Sequence, residues 1–498
     1  MLFPTTVFAV FFLIVFNLHW ALAGFPRARK AFLLAASLFF YGFWSWKFAT
    51  MLLASALVNH AAALRMESLR GEGSERARKR LVSGIVALNL ALLGFFKYAG
   101  FFVADAFFPL VRPICAALGP DAVWALVRAQ EEVYPLLSRI VLPVGISFFT
   151  FQALSYVVDV YRRRVMPARS WIDFANYLAF FPQLVAGPIV RASDLVPQME
   201  EMPGRDRPIE AARATFLVLV GLFKKTVVAN WLASRLADPV FAWPEIYSGP
   251  DVLMGVYAYA LQIYCDFSAY SDIAIGTALL MGFHFPDNFN APYFATTLQD
   301  FWRRWHISLS SWLRDYLYIP LGGSRQGERR TYVNLFVTFL LGGMWHGAAW
   351  TFILWGAFHG FYLSVERKVR QWLGIPEKGA PPAHWAIALA GRVWIFHVVC
   401  FSWILFRGGT VETVGSILGA IGAWRSGVPE ISFWKLLPIA MVAIGFATQF
   451  FDGGNLWKLS RKLSGWPAWT LALLAAVLLT AILALGPEGV APFIYFQF

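Results

Sequence analysis

Long runs of apolar residues recur along the whole chain and are separated by short polar segments. Crossing a hydrocarbon core of about 30 Å takes about 20 apolar residues in a helix. The segments that predict membrane-spanning helices are 3–22, 31–47, 49–64, 81–102, 139–160, 211–234, 251–283, 331–345, 349–366, 386–406, 432–451 and 468–486. The pattern predicts an all-α integral membrane protein with about 11–12 transmembrane helices. No internal repeat or long linker interrupts the runs, so we expect a single multi-span domain over residues 1–498.

Basic residues are distributed unevenly between the segments that join these runs. Clusters at 27–30, 65–80 and 162–169 follow the first, third and fifth predicted spans, whereas segment 103–138 carries few basic residues. Because basic loops are retained in the cytoplasm, this alternation predicts a periplasmic N-terminus and a cytoplasmic segment 284–330. The first run has no preceding basic residues and no small-residue cleavage site, so we expect a retained span rather than a signal peptide.

The composition supports the membrane assignment and excludes several other classes. Hydrophobic residues make up 58% of the chain and charged residues 14%, against about 45–50% and 25% in soluble domains. Lys and Arg outnumber Asp and Glu by 42 to 29, a net charge of +13. In so apolar a chain we expect contacts with anionic membrane lipids and none with nucleic acid. The three cysteines form no C-x-x-C pair, which argues against a disulfide framework or a metal-thiolate site.

One apolar segment does not fit a simple spanning helix. The sequence WIDFANYLAFFPQLVAGPIVR (171–191) is interrupted by Pro182, Gly187 and Pro188. Proline removes a backbone donor, and in lipid an irregular backbone survives only when protein or a water cavity surrounds it. We therefore interpret 176–190 as a re-entrant segment, with an ordinary surface loop as the alternative.

Two predicted spans carry polar residues along one helical face. Gln262, Asp266 and Tyr270 recur every four residues in one span, and Gln152 and Asp159 share a face of another. Polar groups at membrane depth are costly and often mark a substrate pathway. The same groups can instead form hydrogen bonds that hold helices together, and the sequence leaves both interpretations open.

Segment 299–323, QDFWRRWHISLSSWLRDYLYIPLGG, interleaves aromatic and basic residues at helical spacing. Such a helix is typical of the cytoplasmic membrane surface. His306 and Ser310 lie four residues apart within it, between Trp305 and Asp315. The segment either anchors the protein at this surface or forms a cationic mouth for a phosphorylated carrier such as coenzyme A.

The strongest candidate for chemistry is His346 in the stretch LLGGMWHGAAW (340–350). It follows a run of about 15 apolar residues, which is too short to cross a bilayer, so we expect it within the membrane. In a helix, Gly342 and Gly343 lie one turn earlier and would leave room for a ligand beside the imidazole. Histidine is readily tuned to act as a general base near neutral pH. The alternative is a buried histidine satisfied by a hydrogen bond.

The other histidines are weaker candidates. His359 is 13 residues from His346, which would place it well around a continuous helix. No H-x-x-x-H pair or Cys/His cluster suggests a metal site, and no G-x-S-x-G or phosphate-binding loop is present.

Several stretches together resemble the membrane-bound O-acyltransferase (MBOAT) family, in particular its branch of bacterial alginate O-acetyltransferase membrane subunits of the AlgI type. They are PVGISFFTFQALSYVVDVYR, FPQLVAGPIVR, YCDFSAYSDIAIG, NFNAPYFATTLQDFWRRWHISLSSWLRDYLYIPLGG, GGMWHG and the ending FIYFQF. The resemblance extends over the whole chain and is densest from 143 to 360. It implies a bacterial inner-membrane protein whose helices form a ring around a central tunnel.

The resemblance also implies roles for individual residues. His346 matches the family's essential histidine, and His306 matches its second histidine. The donor would be a cytoplasmic thioester, acetyl-CoA or an acyl carrier protein, and no cofactor would stay bound. The acceptor hydroxyl would arrive from the other side, with periplasmic polysaccharide-modification proteins as partners. Candidates for the tunnel wall or substrate contacts are Gln152, Asp266, Trp305, Ser310, Asp315 and Trp345.

The residues and the resemblance converge on one predicted activity. We expect transfer of an acetyl or other acyl group from a thioester to a hydroxyl for exopolysaccharide O-acetylation, with His346 as general base. Alginate, cellulose and peptidoglycan stay open as acceptors. The alternative functions are a proton-coupled transporter or flippase of an acyl or glycan intermediate, and a non-catalytic scaffold.

Overall fold

The computed structural model describes the chain except for residues 2, 70, 72, 138, 186, 205–208, 376–383, 425, 427–432, 464, 487–493 and 495–498. The regular structure of the described residues is entirely helical, without a β-strand. This confirms the predicted all-α class. The C-terminal motif FIYFQF, apart from Ile494, lies outside the described residues.

The first part of the chain forms ten helices that lead up to and include the interrupted segment 171–191. They are α1 Thr6–Ala21, α2 Pro26–Gly42, α3 Trp46–Ser68, α4 Glu75–Gly100, α5 Phe108–Leu118, α6 Pro120–Leu137, α7 Ile146–Tyr161, α8 Trp171–Ala179, α9 Phe181–Leu184 and α10 Ala192–Glu201. A π-helical stretch, Phe101–Phe107, joins α4 to α5 without a break.

The second part contains the remaining helices. They are α11 Ala211–Leu222, α12 Asn230–Leu232, α13 Asp238–Ala242, α14 Gly249–Leu280, α15 Leu298–Arg304, α16 Ile307–Leu313, α17 Glu328–His346, α18 Trp350–Trp372, α19 Trp385–Arg407, α20 Val411–Gly422, α21 Leu436–Ala447, α22 Gly453–Leu463 and α23 Ala468–Leu485. Further π-helical stretches are Phe223–Ala229, Ala233–Ala237 and Arg314–Tyr318.

Five helical stretches among the described residues are long and apolar enough to cross a membrane. They are Thr6–Gly24, Trp46–Ser68, Glu75–Leu118, Ala211–Ala242 and Trp385–Arg407. A bent pair, Leu436–Phe451 with Gly453–Leu463 at 72°, adds a sixth if it is one broken span. The integral-membrane class is thus confirmed. The larger count of about 11–12 spans stays a prediction, because helices such as α2 and α7 are shorter than a full span.

Helix α14 lies at the centre of the fold. Nearly all of its side chains are buried, and it packs against α11, α19, α20 and α21. Ser248 caps its first turn by accepting a hydrogen bond from the Asp251 N–H (3.2 Å), and Pro250 occupies the first turn, where its missing N–H costs nothing. A helix buried all round is expected inside a large helical assembly rather than against lipid.

The interrupted segment 171–191 is enclosed by protein. The helix is interrupted at Phe180, between α8 and α9, and the backbone is irregular again after Leu184. The described side chains from Asp173 to Val190 are buried. The predicted irregular backbone is therefore present and shielded, as an apolar environment requires, whereas re-entry from one membrane face stays a prediction.

Helices α17 and α18 form a tightly packed hairpin. A Cβ placed on Gly343 would lie 2.3 Å from the Phe352 carbonyl oxygen, and one on Gly356 would lie 2.4 Å from the Phe339 carbonyl oxygen. Small residues allow two helices to approach this closely. The prediction that Gly342 and Gly343 leave room for a ligand is therefore wrong, because α18 fills the space at Gly343 and Leu313 contacts the Gly342 position at 3.3 Å.

Candidate active site

A cavity of about 660 Å³ reaches the end of α17. Its wall is built from the start of α1, the connection between α2 and α3, the end of α4, residues 142–148 and the last two residues of α17. The lining residues Val7, Phe43 and Trp44 are exposed, so the cavity reaches the protein surface on that side. His346 and Trp345 both line it. The sequence analysis predicted access to His346 as the general base, and it named Trp345 as a candidate for the tunnel wall.

The imidazole of His346 is buried and held among aromatic rings. Its centroid lies 4.9 Å from that of Trp345, 5.0 Å from that of Trp355 and 5.0 Å from that of Phe406, and all three rings meet it edge-on. Its residue exposure is 5%. Such packing limits the rotation of the ring while the cavity keeps one approach open.

The last turn of α17 is held by two adjacent residues of α4. Lys97 donates from Nζ to the carbonyl oxygens of Trp345 and His346, the latter at 2.9 Å. Tyr98 donates from its hydroxyl to the Met344 carbonyl oxygen at 2.5 Å. The last carbonyls of a helix have no partner within the helix and carry partial negative charge. Lys97 and Tyr98 therefore satisfy three of them and fix the position from which His346 projects.

His306 approaches the same region from another part of the chain. It is fully buried, it has a left-handed backbone (φ 43°), and it immediately precedes α16. Its ring centroid lies 4.5 Å from Phe267, 6.4 Å from Phe148 and 6.2 Å from Trp345. Trp345 thus contacts both histidines. The sequence interpretation named these two histidines together, and the structure brings both of them against one indole ring.

Four of the remaining predicted tunnel residues lie outside the cavity wall: Gln152, Asp266 and Trp305 are buried, and Ser310 is half-buried. Gln152 is buried on α7, one turn beyond Phe148. Asp266 forms an ion pair with Lys225 (2.8 Å) and accepts a hydrogen bond from the Ile494 N–H (3.0 Å). Trp305 packs against Trp403 at 5.0 Å, and Ser310 donates to the Trp305 carbonyl oxygen at 3.2 Å. Their contacts fix helices to one another.

Asp315 lies near the predicted cytoplasmic surface within a cluster of arginines. It accepts hydrogen bonds from Arg191 Nη2 (2.5 Å) and Arg314 Nε (2.6 Å). Burial acts to raise the pKa of the Asp315 carboxyl, but the hydrogen bonds from the two arginines hold it below its usual value. Arg191 and Arg162 also lie over the Tyr316 ring, at 5.5 and 5.6 Å. The basic and aromatic character predicted for this segment is therefore present as a surface cluster.

Two residues beside His346 were not singled out by the sequence. Lys97 lines the cavity. In the sequence it is an isolated lysine within a predicted span, and nothing nearby indicates that it binds the carbonyl oxygens at the end of α17. His359 was discounted on the assumption of one continuous helix, and this is wrong because the chain reverses at 347–349. Trp355 lies between the two histidines, 5.0 Å from His346 and 4.6 Å from His359. Trp355 and His359 are four residues apart and therefore share a face of α18, so the sequence could have indicated the contact between them.

The chemistry available here is that of imidazole, indole and ammonium groups. Among the described residues, no group of three or more His, Cys, Asp or Glu side chains could hold a metal ion. Cys265 and Cys400 are buried away from the cavity wall. A buried imidazole at the end of an accessible cavity suits proton transfer to or from a bound substrate.

The site thus combines an all-helical fold, a cavity lined by His346 and a second histidine, His306, packed against Trp345 of the cavity wall. The sequence model of the membrane-bound O-acyltransferase family, MBOAT, matches residues 38–406. The chain therefore belongs to this family and is an O-acyltransferase.

Similar proteins carry related names. The chain is 36% identical to the probable alginate O-acetylase of Pseudomonas putida, over 100% of both chains. It is 36% identical to the peptidoglycan O-acetyltransferase of Helicobacter pylori, over 85% of this chain and 80% of that protein. It is 30% identical to the teichoic acid D-alanyltransferase of Streptococcus thermophilus, over 53% of this chain and 68% of that protein.

Proposed function

We propose that this protein transfers an acetyl group from a thioester to a hydroxyl in the O-acetylation of an exopolysaccharide, alginate-like in type. The observation that carries the proposal is the cavity that reaches His346 from the protein surface, with His306 packed against Trp345, which lines the same cavity. The names of the Pseudomonas and Helicobacter relatives support acetyl transfer to a cell-surface polymer.

In the proposed mechanism His346 acts as general base. Its imidazole takes the proton of the acceptor hydroxyl as the oxygen attacks the thioester carbonyl carbon. The tetrahedral intermediate then collapses, the C–S bond breaks, and the imidazolium returns the proton to the leaving thiolate. Proton transfer of this kind contributes roughly 10²–10⁴-fold to a rate. His306 is the second catalytic group in this proposal, because its ring packs against Trp345, which lines the cavity.

The donor and acceptor approach from opposite sides in this proposal. The arginine cluster around Asp315 and Tyr316 supports entry of a phosphorylated donor, acetyl-CoA or a carrier-protein thioester, from the cytoplasm. The cavity mouth lies near the start of α1, which the distribution of basic residues places in the periplasm. The acceptor is a polysaccharide or a periplasmic partner protein that passes the acetyl group on. The proposed location is the bacterial inner membrane.

The test is acetyl transfer by membranes that contain matched histidine variants. Labelled acetyl-CoA is incubated with membranes and polysaccharide, and covalent label is counted. His346→Gln should lower incorporation about 10²–10⁴-fold at equal expression. His397→Gln is the control, because His397 bonds to the Tyr257 hydroxyl (2.8 Å) outside the cavity, and it should retain activity. Equal incorporation by both variants would contradict the proposal, and uptake of label without covalent product would favour the transporter.

A further inference from the structure

Asn288 connects His306 to the polypeptide backbone of α16. It lies between α14 and α15 and is buried. Its Oδ1 lies 3.2 Å from the Ser308 backbone nitrogen, 2.8 Å from Ser308 Oγ and 3.2 Å from His306 Nδ1. On the other side, its Nδ2 donates to Ser271 Oγ at 2.9 Å. The amide therefore bridges α14, the His306 ring and the first turn of α16.

These contacts determine which way the Asn288 amide points. The backbone N–H of Ser308 is always a donor, so the Asn288 atom that faces it is the oxygen. The Ser308 hydroxyl accepts from the Ile189 N–H at 3.0 Å and donates to the same Asn288 oxygen. The orientation of Asn288 thus follows from a backbone group and needs no assumption about a rotatable hydrogen.

The orientation of Asn288 in turn determines the tautomer of His306. Nδ1 of His306 faces the Asn288 oxygen at 3.2 Å and the Ser308 oxygen at 3.4 Å. The hydrogen of the Ser308 hydroxyl is directed to Asn288, the shorter of its two contacts, so Nδ1 of His306 must supply the hydrogen on its own side. In a neutral imidazole with Nδ1–H, the other nitrogen, Nε2, carries a lone pair and accepts hydrogen bonds.

The Nε2 atom of His306 is buried and, in the part of the chain that the structure describes, has no hydrogen-bond partner. The neighbouring Trp345 Nε1–H is likewise buried without a partner among those residues. The two rings lie 6.2 Å apart, and Trp345 lines the cavity. Unsatisfied buried polar atoms are costly and rare. An acceptor and a donor without partners on two adjacent rings, of which Trp345 lines the cavity, point to a substrate group that pairs with them.

We propose that Asn288 is a positioning residue that holds His306 as the Nδ1–H tautomer, so that the Nε2 lone pair faces the substrate. His306 then accepts a hydrogen bond from a substrate O–H or S–H group and donates none to the carbonyl oxygen of the acyl group. The inference rests on the proposed function, because it assigns the side from which His306 acts in acyl transfer.

The kinetic test compares two substitutions of Asn288. Asn288→Asp keeps an oxygen opposite His306 Nδ1, whereas Asn288→Leu removes it at similar size. The Leu variant should lose about 10–100-fold in kcat with little change in KM for the acyl donor, and the Asp variant should recover most of that loss. Asn290→Ala, at an exposed neighbouring asparagine, is the control and should match the unmodified protein. Equal loss in the Asp and Leu variants, or an effect on KM alone, would overturn the proposal.

A second measurement is independent of activity and of any substitution at Asn288. Histidine-selective ¹⁵N labelling and solid-state NMR of the unmodified protein in bilayers report which ring nitrogen carries hydrogen. The His306 signal is assigned by its loss in His306→Gln. The proposal predicts Nδ1–H with an unprotonated Nε2, and Nε2–H as the main form would overturn it. If His306→Gln retains full activity while the predicted tautomer is observed, the proposed role in catalysis fails and the positioning by Asn288 stands.

Discussion

Two regions of this protein bury polar side chains in its interior, and their surroundings differ. Around α14, Lys224 lies between Asp272 (3.1 Å) and Asp452 (2.8 Å), and Asp452 also accepts from Tyr264 (2.7 Å). At the end of α17, the polar groups of Lys97 and His346 lie beside a cavity. The first region neutralises charge with charge, and the second leaves space next to its polar groups.

The difference separates structural from chemical roles among residues that look alike in the sequence. A buried charge is tolerated when a partner compensates it. The α14 region meets this condition with Asp452, which immediately precedes α22, and with lysines of the π-helical stretch Phe223–Ala229. Asp266, a predicted tunnel residue, belongs to this class through Lys225. Groups with a chemical role need access for a substrate, and the end of α17 provides it.

The largest expected effect comes from removing the shared cation of the ion pairs around α14. Lys224→Met would leave the buried Asp452 and the partly buried Asp272 without their shared cation, a loss of about 3–5 kcal/mol. We expect little folded protein in membranes. The measurements are the yield of monodisperse protein on size-exclusion chromatography in detergent and the temperature of thermal unfolding. Lys458→Met, at an exposed lysine of α22, should leave recovery unchanged. Normal thermal stability of the Lys224 variant would show that this network is not needed for the fold.

A smaller effect is expected from loosening the support of His346. Lys97→Met removes the ammonium group from the last carbonyls of α17, and displacement of a catalytic group by about 1 Å can cost about 10²-fold in rate. We expect acetyl transfer to fall by up to that factor while expression persists. Lys47→Met, at an exposed lysine near the start of α3, serves as control. Full activity after Lys97→Met would mean that the aromatic rings alone hold His346.

The smallest effect distinguishes two adjacent glycines of α17. Gly343→Ala places a methyl group 2.3 Å from the Phe352 carbonyl oxygen, and such overpacking costs about 1–3 kcal/mol. Gly342→Ala meets only the flexible end of Leu313 at 3.3 Å and should change stability by about 0.5 kcal/mol or less. Thermal unfolding of both variants measures the contrast. A larger loss in the Gly342 variant would contradict the close approach of α17 and α18.

The helical class and the helix end at His346 could be predicted, because apolar periodicity and a short apolar run are local properties. The cavity beside His346 is formed largely by residues 142–148 and by α1 and α2, far away in sequence, so its shape could not be predicted. The same is true of the Asp266–Lys225 pair and of the contacts of Lys97, which depend on how helices pack. The sequence separated the spans 331–345 and 349–366, but the direction of His359 was judged as if one helix continued from His346, so the approach of His359 across the hairpin was missed.

The central claim is that the cavity gives the substrate access to His346. The most direct measurement uses Ser147→Cys, at a partly exposed lining position, in a Cys115→Ser background, because Cys265 and Cys400 are buried. A bulky membrane-impermeant thiol reagent is added from the periplasmic side, and acetyl transfer and the labelled fraction are measured together. The account predicts that transfer falls in proportion to labelling and that the Cys115→Ser parent is unaffected. Complete labelling with unchanged acetyl transfer would contradict it.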